Sequence, residues 1–267
     1  MIELEQVTKT FGRKIAVDGM SLSVQPGELF AFLGPNGAGK TTTIKMLVGL
    51  LRPNSGRVRV AGFDLATHSR QACQVLGYVP DEPTLYEKLT GREFLQFIAS
   101  MYGLDDRQSR TRLEQQIAQF ELHDFLDELA ENYSHGMKQR LVFAAALLHE
   151  PRVLIIDEPM VGLDPRSARL LKDLLRQRAA AGMTIFMSTH TLALAEEIAS
   201  RLAIIDHGRV QFCGTLEALR GDLARRDSSL ESIFLGLTGN AADGRLAAAG
   251  SGTDPAPLLP GVPAEGR

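Results

Sequence analysis

The chain has 267 residues, of which 44% are hydrophobic and 23% charged, and its formal net charge is −3. This length can bury a full core, and the composition is that of a soluble globular protein. The charge gives no electrostatic reason to expect a nucleic-acid partner. Since the opening stretch MIELEQVTKTFG is no basic and apolar leader, and no apolar run approaches the roughly 18 residues that cross a bilayer, we expect a cytoplasmic protein without a membrane span of its own.

The first part of the chain predicts strands. The stretches IELEQV and SLSV alternate apolar and polar residues, and the apolar run LFAFLG suits a buried strand. From Lys40 to Leu51 the residues favour a helix, which RPNSG ends before the short alternating strand RVRV.

Residues from about 84 to 150 predict helices. Thr90 and Glu93 have the spacing of a capping box. The apolar face of the helix that they open is predicted to consist of Phe94, Phe97, Ile98 and Met101, and the next helix continues with Leu113, Ile117 and Phe120.

After Pro151 strands and helices alternate, as in a parallel α/β sheet. RVLIID precedes a helix from Pro165 to about Ala181, TIFMS precedes a helix near 191–199, and RLAIID follows. A last helix near 229–237 is predicted to open with a capping box from Ser228 to Glu231. Residues 239–267 are rich in Gly, Ala and Pro and predict a disordered tail.

The stretch GPNGAGKT, between a predicted strand and helix, fits the phosphate-loop pattern. Small residues free the backbone N–H groups for phosphate oxygens, Lys40 can reach the outer phosphates, and the Thr41 hydroxyl can hold Mg²⁺. The alternative is a glycine-rich turn that binds nothing. The predicted nucleotide-binding residues here are Gly34, Pro35, Asn36, Gly37, Ala38, Gly39, Lys40, Thr41 and Thr42.

Two further strand ends carry polar residues. Asp157 ends VLIID, where a carboxylate can orient Mg²⁺, and Glu158 can polarise the water that attacks a γ-phosphate. Without the phosphate loop, an acidic turn would be the preferred interpretation. His190, in STH, follows another strand at the same carboxyl edge, so we predict that it contacts the γ-phosphate.

The stretch NYSHGMKQ opens a predicted helix with Ser134, His135 and Gly136 in its first turn. Such a tip offers free N–H groups and a positive dipole end, which together form an anion site. A well-capped helix with no ligand is the alternative.

The remaining residue types indicate no other metal. Cys73 and Cys213 have no metal or redox spacing, so we expect core thiols in a reducing compartment. The histidines at positions 68, 123, 135, 149 and 207 have no ligand spacing, so we predict no zinc site.

Taken in order, GPNGAGKT, GYVPDEP, YSHGMKQR, VLIIDEPMVGLDP and STH resemble the ATP-binding subunits of ABC transporters, most closely those of multidrug-type and other ABC-2-like exporters. The resemblance covers about 1–238. It implies an α/β P-loop NTPase fold with a mostly parallel central sheet, an N-terminal antiparallel β subdomain and an inserted α-helical subdomain. The core would comprise about 1–83 and 151–222, and the helical subdomain about 84–150.

The resemblance also implies a mechanism. Residues 133–137 match the family's Leu-Ser-Gly-Gly-Gln motif, which faces the nucleotide held by a second subunit. We therefore expect a homodimer or heterodimer that closes head to tail around two Mg-ATP. Its hydrolysis of ATP would drive export through a membrane-spanning permease subunit, with this chain on the cytoplasmic face of the membrane.

Three other functions are weighed at this point. A nucleotide-binding regulator without turnover would need the loss of the catalytic pair, whereas Glu158 and His190 are both present. A soluble ABC-type ATPase of translation or DNA repair would tend to carry two cassettes or long insertions, and none is visible here. Kinases and small GTPases share the phosphate loop but leave the helical insert unexplained.

The resemblance also implies roles for four individual residues. Phe11 matches the aromatic that stacks on adenine, although a core Phe before a turn is an alternative. Asp164 matches the loop between the two nucleotide sites and can also cap a helix. Asp81 stands where the family usually has Gln, and it can bind Mg²⁺ or water, or initiate a turn. His135 stands where the family has Gly, so it either hinders close approach or adds a hydrogen-bond donor beside phosphate.

Overall fold

The computed structural model describes residues 1–160 and 162–224. The predicted helix 229–237, its Ser228–Glu231 capping box and the predicted tail 239–267 lie outside the described residues. No helix in the described ranges is long and apolar enough to cross a membrane.

The described chain begins with three strands, has three consecutive α-helices in its middle, and alternates strands and helices from Val153 to Asp206. The strands are β1 Ile2–Phe11, β2 Lys14–Val24, β3 Leu29–Leu33, β4 Ser55–Val60, β5 Phe63–Asp64, β6 Leu76–Val79, β7 Val153–Asp157, β8 Thr184–Thr189, β9 Arg201–Asp206 and β10 Arg209–Gly214. The helices are α1 Lys40–Leu47, α2 Ser69–Gln74, α3 Gly91–Met101, α4 Asp106–Gln119, α5 His135–Leu147, α6 Pro165–Ala180, α7 Leu192–Ile198 and α8 Leu216–Ala224.

The strands form two sheets. An antiparallel sheet has the order β2-β1-β4-β5, and a six-stranded sheet has the order β10-β9-β3-β8-β7-β6. In the larger sheet only the β9–β10 pair is antiparallel. The expected fold class, a mostly parallel central sheet with an N-terminal antiparallel sheet and helices, is confirmed.

The buried strand β3 separates two hydrophobic clusters. Its residues at positions 29, 31 and 33 pack with the helical segment, whereas Phe30 and Phe32 pack between the two sheets. Since both faces of β3 are covered, the strand is apolar throughout and all five residues are buried. The carboxyl ends of β3, β8 and β7 are therefore fixed side by side, with Leu33 paired to Thr189 and Asp157 paired to Ser188.

The capping box of α3 is confirmed, because Thr90 and Glu93 each bond the other's backbone N–H. Its predicted apolar face is partly wrong, since Phe97 and Met101 are 39% and 69% exposed. The buried stripe of α3 is turned about one position from the predicted face and consists of Phe94, Leu95 and Ala99.

Two other expectations are wrong. Cys73 and Cys213 are exposed rather than in the core. Cys73 lies on α2, which buries Ala72 alone, and Cys213 lies on the sheet-edge strand β10. The helix predicted to extend to Leu51 ends at Leu47, because the chain turns at Gly49, whose φ of 76° is left-handed.

Candidate functional site

The loop between β3 and α1 is wound tightly at the edge of the larger sheet. A Cβ on Gly34 would lie 2.6 Å from the carbonyl oxygen of Ile205, so the backbone here can come this close only as glycine. Lys40, 7% exposed, donates from Nζ to the carbonyl oxygens of Gly34 at 2.7 Å and Pro35 at 3.3 Å. Burial lowers the pKa of Lys40, and the nearby carboxylates oppose that shift.

The same loop is held from outside by two other segments. Gly39 has a φ of 110°, and a Cβ there would lie 2.5 Å from the carbonyl oxygen of Ala16. Gly208, in the turn between β9 and β10, donates its N–H to the carbonyl of Ala38 at 2.9 Å and accepts from the N–H of Asp18 at 3.0 Å. These contacts join β2, the loop and the β9–β10 turn backbone to backbone.

At the end of β7, Asp157 is buried and accepts a hydrogen bond from the Ser188 hydroxyl of neighbouring β8. Burial raises the pKa of Asp157, and the Ser188 bond opposes that rise. Sequence reasoning missed Ser188, although it begins the STH stretch that drew attention to His190.

Glu158 follows at a left-handed φ of 48°, with its N–H bonded to the carbonyl of Ser188 at 3.2 Å. Its Oε1 lies 3.0 Å from Nδ1 of His190 and 3.9 Å from Nζ of Lys40. The ends of β7 and β8 and the start of α1 thus bring one acid, one imidazole and one ammonium group together.

An open pocket of about 200 Å³ lies against these groups. It is lined by the predicted residues Pro35, Asn36, Gly37, Gly39, Lys40, Thr41, Thr42, Asp81, Asp157 and Glu158, together with Lys14 and Ala16. Sequence reasoning missed Lys14 and Ala16, which follow the β1–β2 turn and show no local motif. Burial raises the pKa of Asp81, Glu158 and Glu82 raise it further, and His135 and His190 lower it.

Other predicted residues lie outside the described lining of this pocket. Gly34 and Ala38 belong to the loop but do not line it, and His190 contacts Glu158 at its edge. Phe11 is 51% exposed at the end of β1, so it is not a core residue, and Nζ of Lys9 lies 5.4 Å from its ring centroid.

The predicted helix tip is also outside that lining. Ser134 is the N-cap of α5, and its Oγ accepts from the N–H of Met137 at 3.3 Å. Beside it lies Gly136, and the ring of His135 packs so closely on Gly162 that a Cβ on that glycine would lie 2.3 Å from Cδ2 of the histidine. The tip of α5 therefore contacts the segment that leads into α6.

Asp164 caps α6. Its Oδ1 accepts from the N–H groups of Arg166 at 2.9 Å and Ser167 at 3.1 Å, and its Oδ2 accepts from the Ser167 hydroxyl at 2.5 Å. The hydroxyl bond is the main reason why the pKa of Asp164 is lowered. The capping role is thus observed, and the predicted role between two nucleotide sites stays a prediction.

Comparisons with known proteins place this geometry in context. The family described as ABC transporter matches residues 17–161. The chain is 39% identical over 215 residues to the linearmycin resistance ATP-binding protein LnrL of Bacillus subtilis, covering 80% of this chain and 69% of that protein. It is 41% identical over 208 residues to the Nod factor export ATP-binding protein I of Burkholderia pseudomallei, covering 78% of this chain and 68% of that protein.

Solved structures share the fold. An ATP-binding subunit of an ABC transporter superposes with a TM-score of 0.83 at 34% identity, covering 89% of this chain and 99% of that one. A dimeric bacterial ABC transporter cassette superposes with a TM-score of 0.75 at 24% identity, covering 81% of this chain and 99% of that one.

Proposed function

The chain belongs to the ABC transporter family of ATP-binding proteins, and from this membership we propose that it hydrolyses ATP to drive export through a separate membrane-spanning subunit. The observation that carries the proposal is the meeting of Lys40, Glu158 and His190 at the edge of the 200 Å³ pocket. Such a constellation suits phosphoryl transfer to water, in which catalysis is mostly positioning and electrostatic stabilisation.

Each side chain has a proposed part in that reaction. Lys40 and the loop N–H groups stabilise the phosphate charge, with phosphate oxygens replacing the carbonyls that Lys40 now contacts. Glu158 accepts a hydrogen bond from the attacking water. His190 holds the Glu158 carboxylate through Nδ1 and contacts the γ-phosphate.

We also propose Mg²⁺ as the cofactor that accompanies ATP. The Thr41 hydroxyl and the Asp157 and Asp81 carboxylates all belong to the pocket, and hard oxygen donors are the ligands that Mg²⁺ prefers. Within the described ranges no three His, Cys, Asp or Glu side chains form a complete metal site, so phosphates and water would supply the other ligands. Bound there, Mg²⁺ would neutralise charge on the phosphates.

Export is supported by the relatives. LnrL is named as a resistance protein and the Nod factor protein as an export protein, which favours transport over translation or DNA repair. The permease is proposed to dock on the groove between α3 and the segment that follows α1, which Leu50, Tyr78 and Phe94 help to line. The exposed Phe97 and Met101 belong to the same helix, α3. This would place the chain at the cytoplasmic face of a membrane.

A second ATP-binding subunit, identical or related, completes the proposed site. Ser134 and Gly136 lie outside the pocket of their own chain, which supports the proposal that the tip of α5 binds the phosphate of a nucleotide held by another protomer. Phe11 is proposed to stack on adenine, and Asp164 to lie between the two nucleotide sites.

Replacement of Glu158 by Gln tests this function. We expect the variant to bind ATP but to release phosphate at least about 100-fold more slowly, because a positioned general base contributes about that much. Phosphate release and equilibrium binding of ATP would be measured in parallel. Glu114→Gln, on the exposed side of α4, is the control that should retain full turnover. Normal turnover of Glu158→Gln would remove Glu158 from this role.

A further inference from the structure

Ser188, near the carboxyl end of β8, is a buried polar residue beside the nucleotide pocket. It is 0% exposed and lies opposite Asp157 in the parallel ladder between β7 and β8. Ser188 is absent from the described lining of the pocket, whereas Asp157 belongs to that lining. Any influence of Ser188 on a bound nucleotide is therefore transmitted through its neighbours.

Two hydrogen bonds connect Ser188 to the two acidic residues that end β7 and follow it. The Ser188 hydroxyl donates to Oδ1 of Asp157, and the Ser188 carbonyl oxygen accepts from the N–H of Glu158 at 3.2 Å. Glu158 has a left-handed φ of 48°, which residues other than glycine seldom adopt, so this backbone bond helps to hold an unfavourable conformation. Ser188 thus fixes one acid through its side chain and the other through its backbone.

The bond from the hydroxyl restricts how the Asp157 carboxylate can turn. Asp157 is 2% exposed, and a buried carboxylate oxygen is costly unless it accepts a hydrogen bond. Since Oδ1 is held by a charge-assisted bond, the carboxylate stays in one orientation. That carboxylate lines the same pocket as Thr41, the other residue of this edge that is proposed to hold Mg²⁺.

We propose that Ser188 is a positioning residue for Mg²⁺, because its hydroxyl holds Asp157 in the orientation in which the carboxylate can bind the metal that accompanies ATP. This inference rests on the proposed function, since it needs a metal at Asp157. Ser188 itself touches neither the metal nor the nucleotide. Groups that orient a metal ligand typically contribute about 10- to 100-fold to metal affinity.

The test uses the non-hydrolysable ATP analogue AMP-PNP, titrated calorimetrically into the full chain with Mg²⁺ and, separately, with EDTA. Ser188→Ala should bind the magnesium complex about 10- to 100-fold more weakly than the unmodified chain does. Its affinity in EDTA should not change, because no metal then connects Asp157 to the phosphates. Ser188→Thr, which retains the hydroxyl, should recover most of the loss.

Thr184→Val, at the other end of β8, is the matched control. Thr184 is 0% exposed, and its Oγ1 accepts from the N–H of Gly27 at 3.2 Å and donates to the carbonyl of Gln25 at 3.3 Å. This variant therefore also removes a buried, hydrogen-bonded hydroxyl from the strand, but far from the pocket lining. It should lower the free energy of unfolding and leave both affinities for AMP-PNP unchanged.

The outcomes separate this inference from the function on which it rests. If Ser188→Ala keeps the full gain in affinity from Mg²⁺, loses affinity equally in EDTA, or is matched by Thr184→Val, the inference is overturned and the proposed function stands. If the unmodified chain does not bind AMP-PNP, or binds it without regard to Mg²⁺, the proposed nucleotide or metal site falls together with the inference. Should Ser188→Ala not fold, Ser188→Cys, whose thiol is a weak donor, takes its place with the same expected loss.

Discussion

At the residue scale, His149 combines a stacked ring with a buried nitrogen. Its ring lies face to face on Tyr102, with 3.7 Å between centroids, and its Nε2 lies 3.1 Å from the carbonyl oxygen of Leu76. Nδ1 is buried without a partner among the described residues. Burial lowers the pKa of His149 from 6.5 to about 4, while the Leu76 contact opposes that shift.

This histidine should make the fold sensitive to acid. Between pH 6.5 and 4 the imidazole of His149 binds a proton in the unfolded chain but not in the folded chain. The free energy of unfolding therefore decreases as the pH falls through that window. The free energy of unfolding should fall by up to about 3 kcal/mol from this group alone. His149→Phe, which retains a stacked ring, should flatten this part of the pH dependence in urea unfolding. The exposed-site control His123→Phe should not, and equal slopes for both variants would contradict this account.

At the element scale, two helices begin with matching hydroxyl caps, Ser134 on α5 and Thr90 on α3. Replacing either by Ala should destabilise the protomer by about 1 kcal/mol, measured by urea unfolding. The two variants should differ in their rate of ATP hydrolysis, because only the tip of α5 is proposed to bind the phosphate of a second protomer. We expect Ser134→Ala to slow phosphate release by about 10- to 100-fold, the effect of one charge-assisted hydrogen bond, and Thr90→Ala to leave it unchanged. Equal effects on turnover would refute the anion-binding role.

A second matched pair consists of a glycine in the β9–β10 turn and a glycine in the β4–β5 turn. Gly208 and Gly62 have left-handed φ values of 78° and 87°, so alanine is strained at both. Around Gly62 nothing lies within 4 Å of an added Cβ, whereas at Gly208 that atom would lie 2.8 Å from the carbonyl oxygen of Ala16. Gly208→Ala should therefore push β2 from the phosphate loop and weaken ATP binding several-fold, as measured by calorimetry. If Gly62→Ala weakens binding as much, strain alone accounts for the loss.

These elements show which site residues and helix faces could be predicted from the sequence. Lys40 could be predicted because it stands in a contiguous phosphate-loop motif after an apolar strand, and Asp157 because it ends another apolar strand in a chain that already has that motif. Ala16 and Gly208 could not be found, because they reach the site only when the β9–β10 turn and β2 pack on the loop. The face of α3 was displaced toward Phe97 because apolar residues occur on both sides of that helix, so its periodicity does not select the packed side.

At the scale of the whole molecule, the protomer holds only part of the proposed catalytic machinery. The pocket has the phosphate loop, Asp157 and Glu158, but the tip of α5 at Ser134 lies outside its lining. We propose that a second protomer supplies that tip, so that two chains enclose two ATP molecules. Dimer formation should thus depend on ATP, and each chain should become competent for hydrolysis only within the dimer.

The most direct test is the rate of phosphate release per protomer, measured at saturating Mg-ATP as the purified chain is diluted, with sedimentation velocity reporting the oligomeric state. If hydrolysis requires the dimer, the rate per protomer falls in proportion to concentration once monomers predominate, and it recovers when the chain is concentrated again. A rate per protomer that stays constant where only monomers sediment would contradict this requirement.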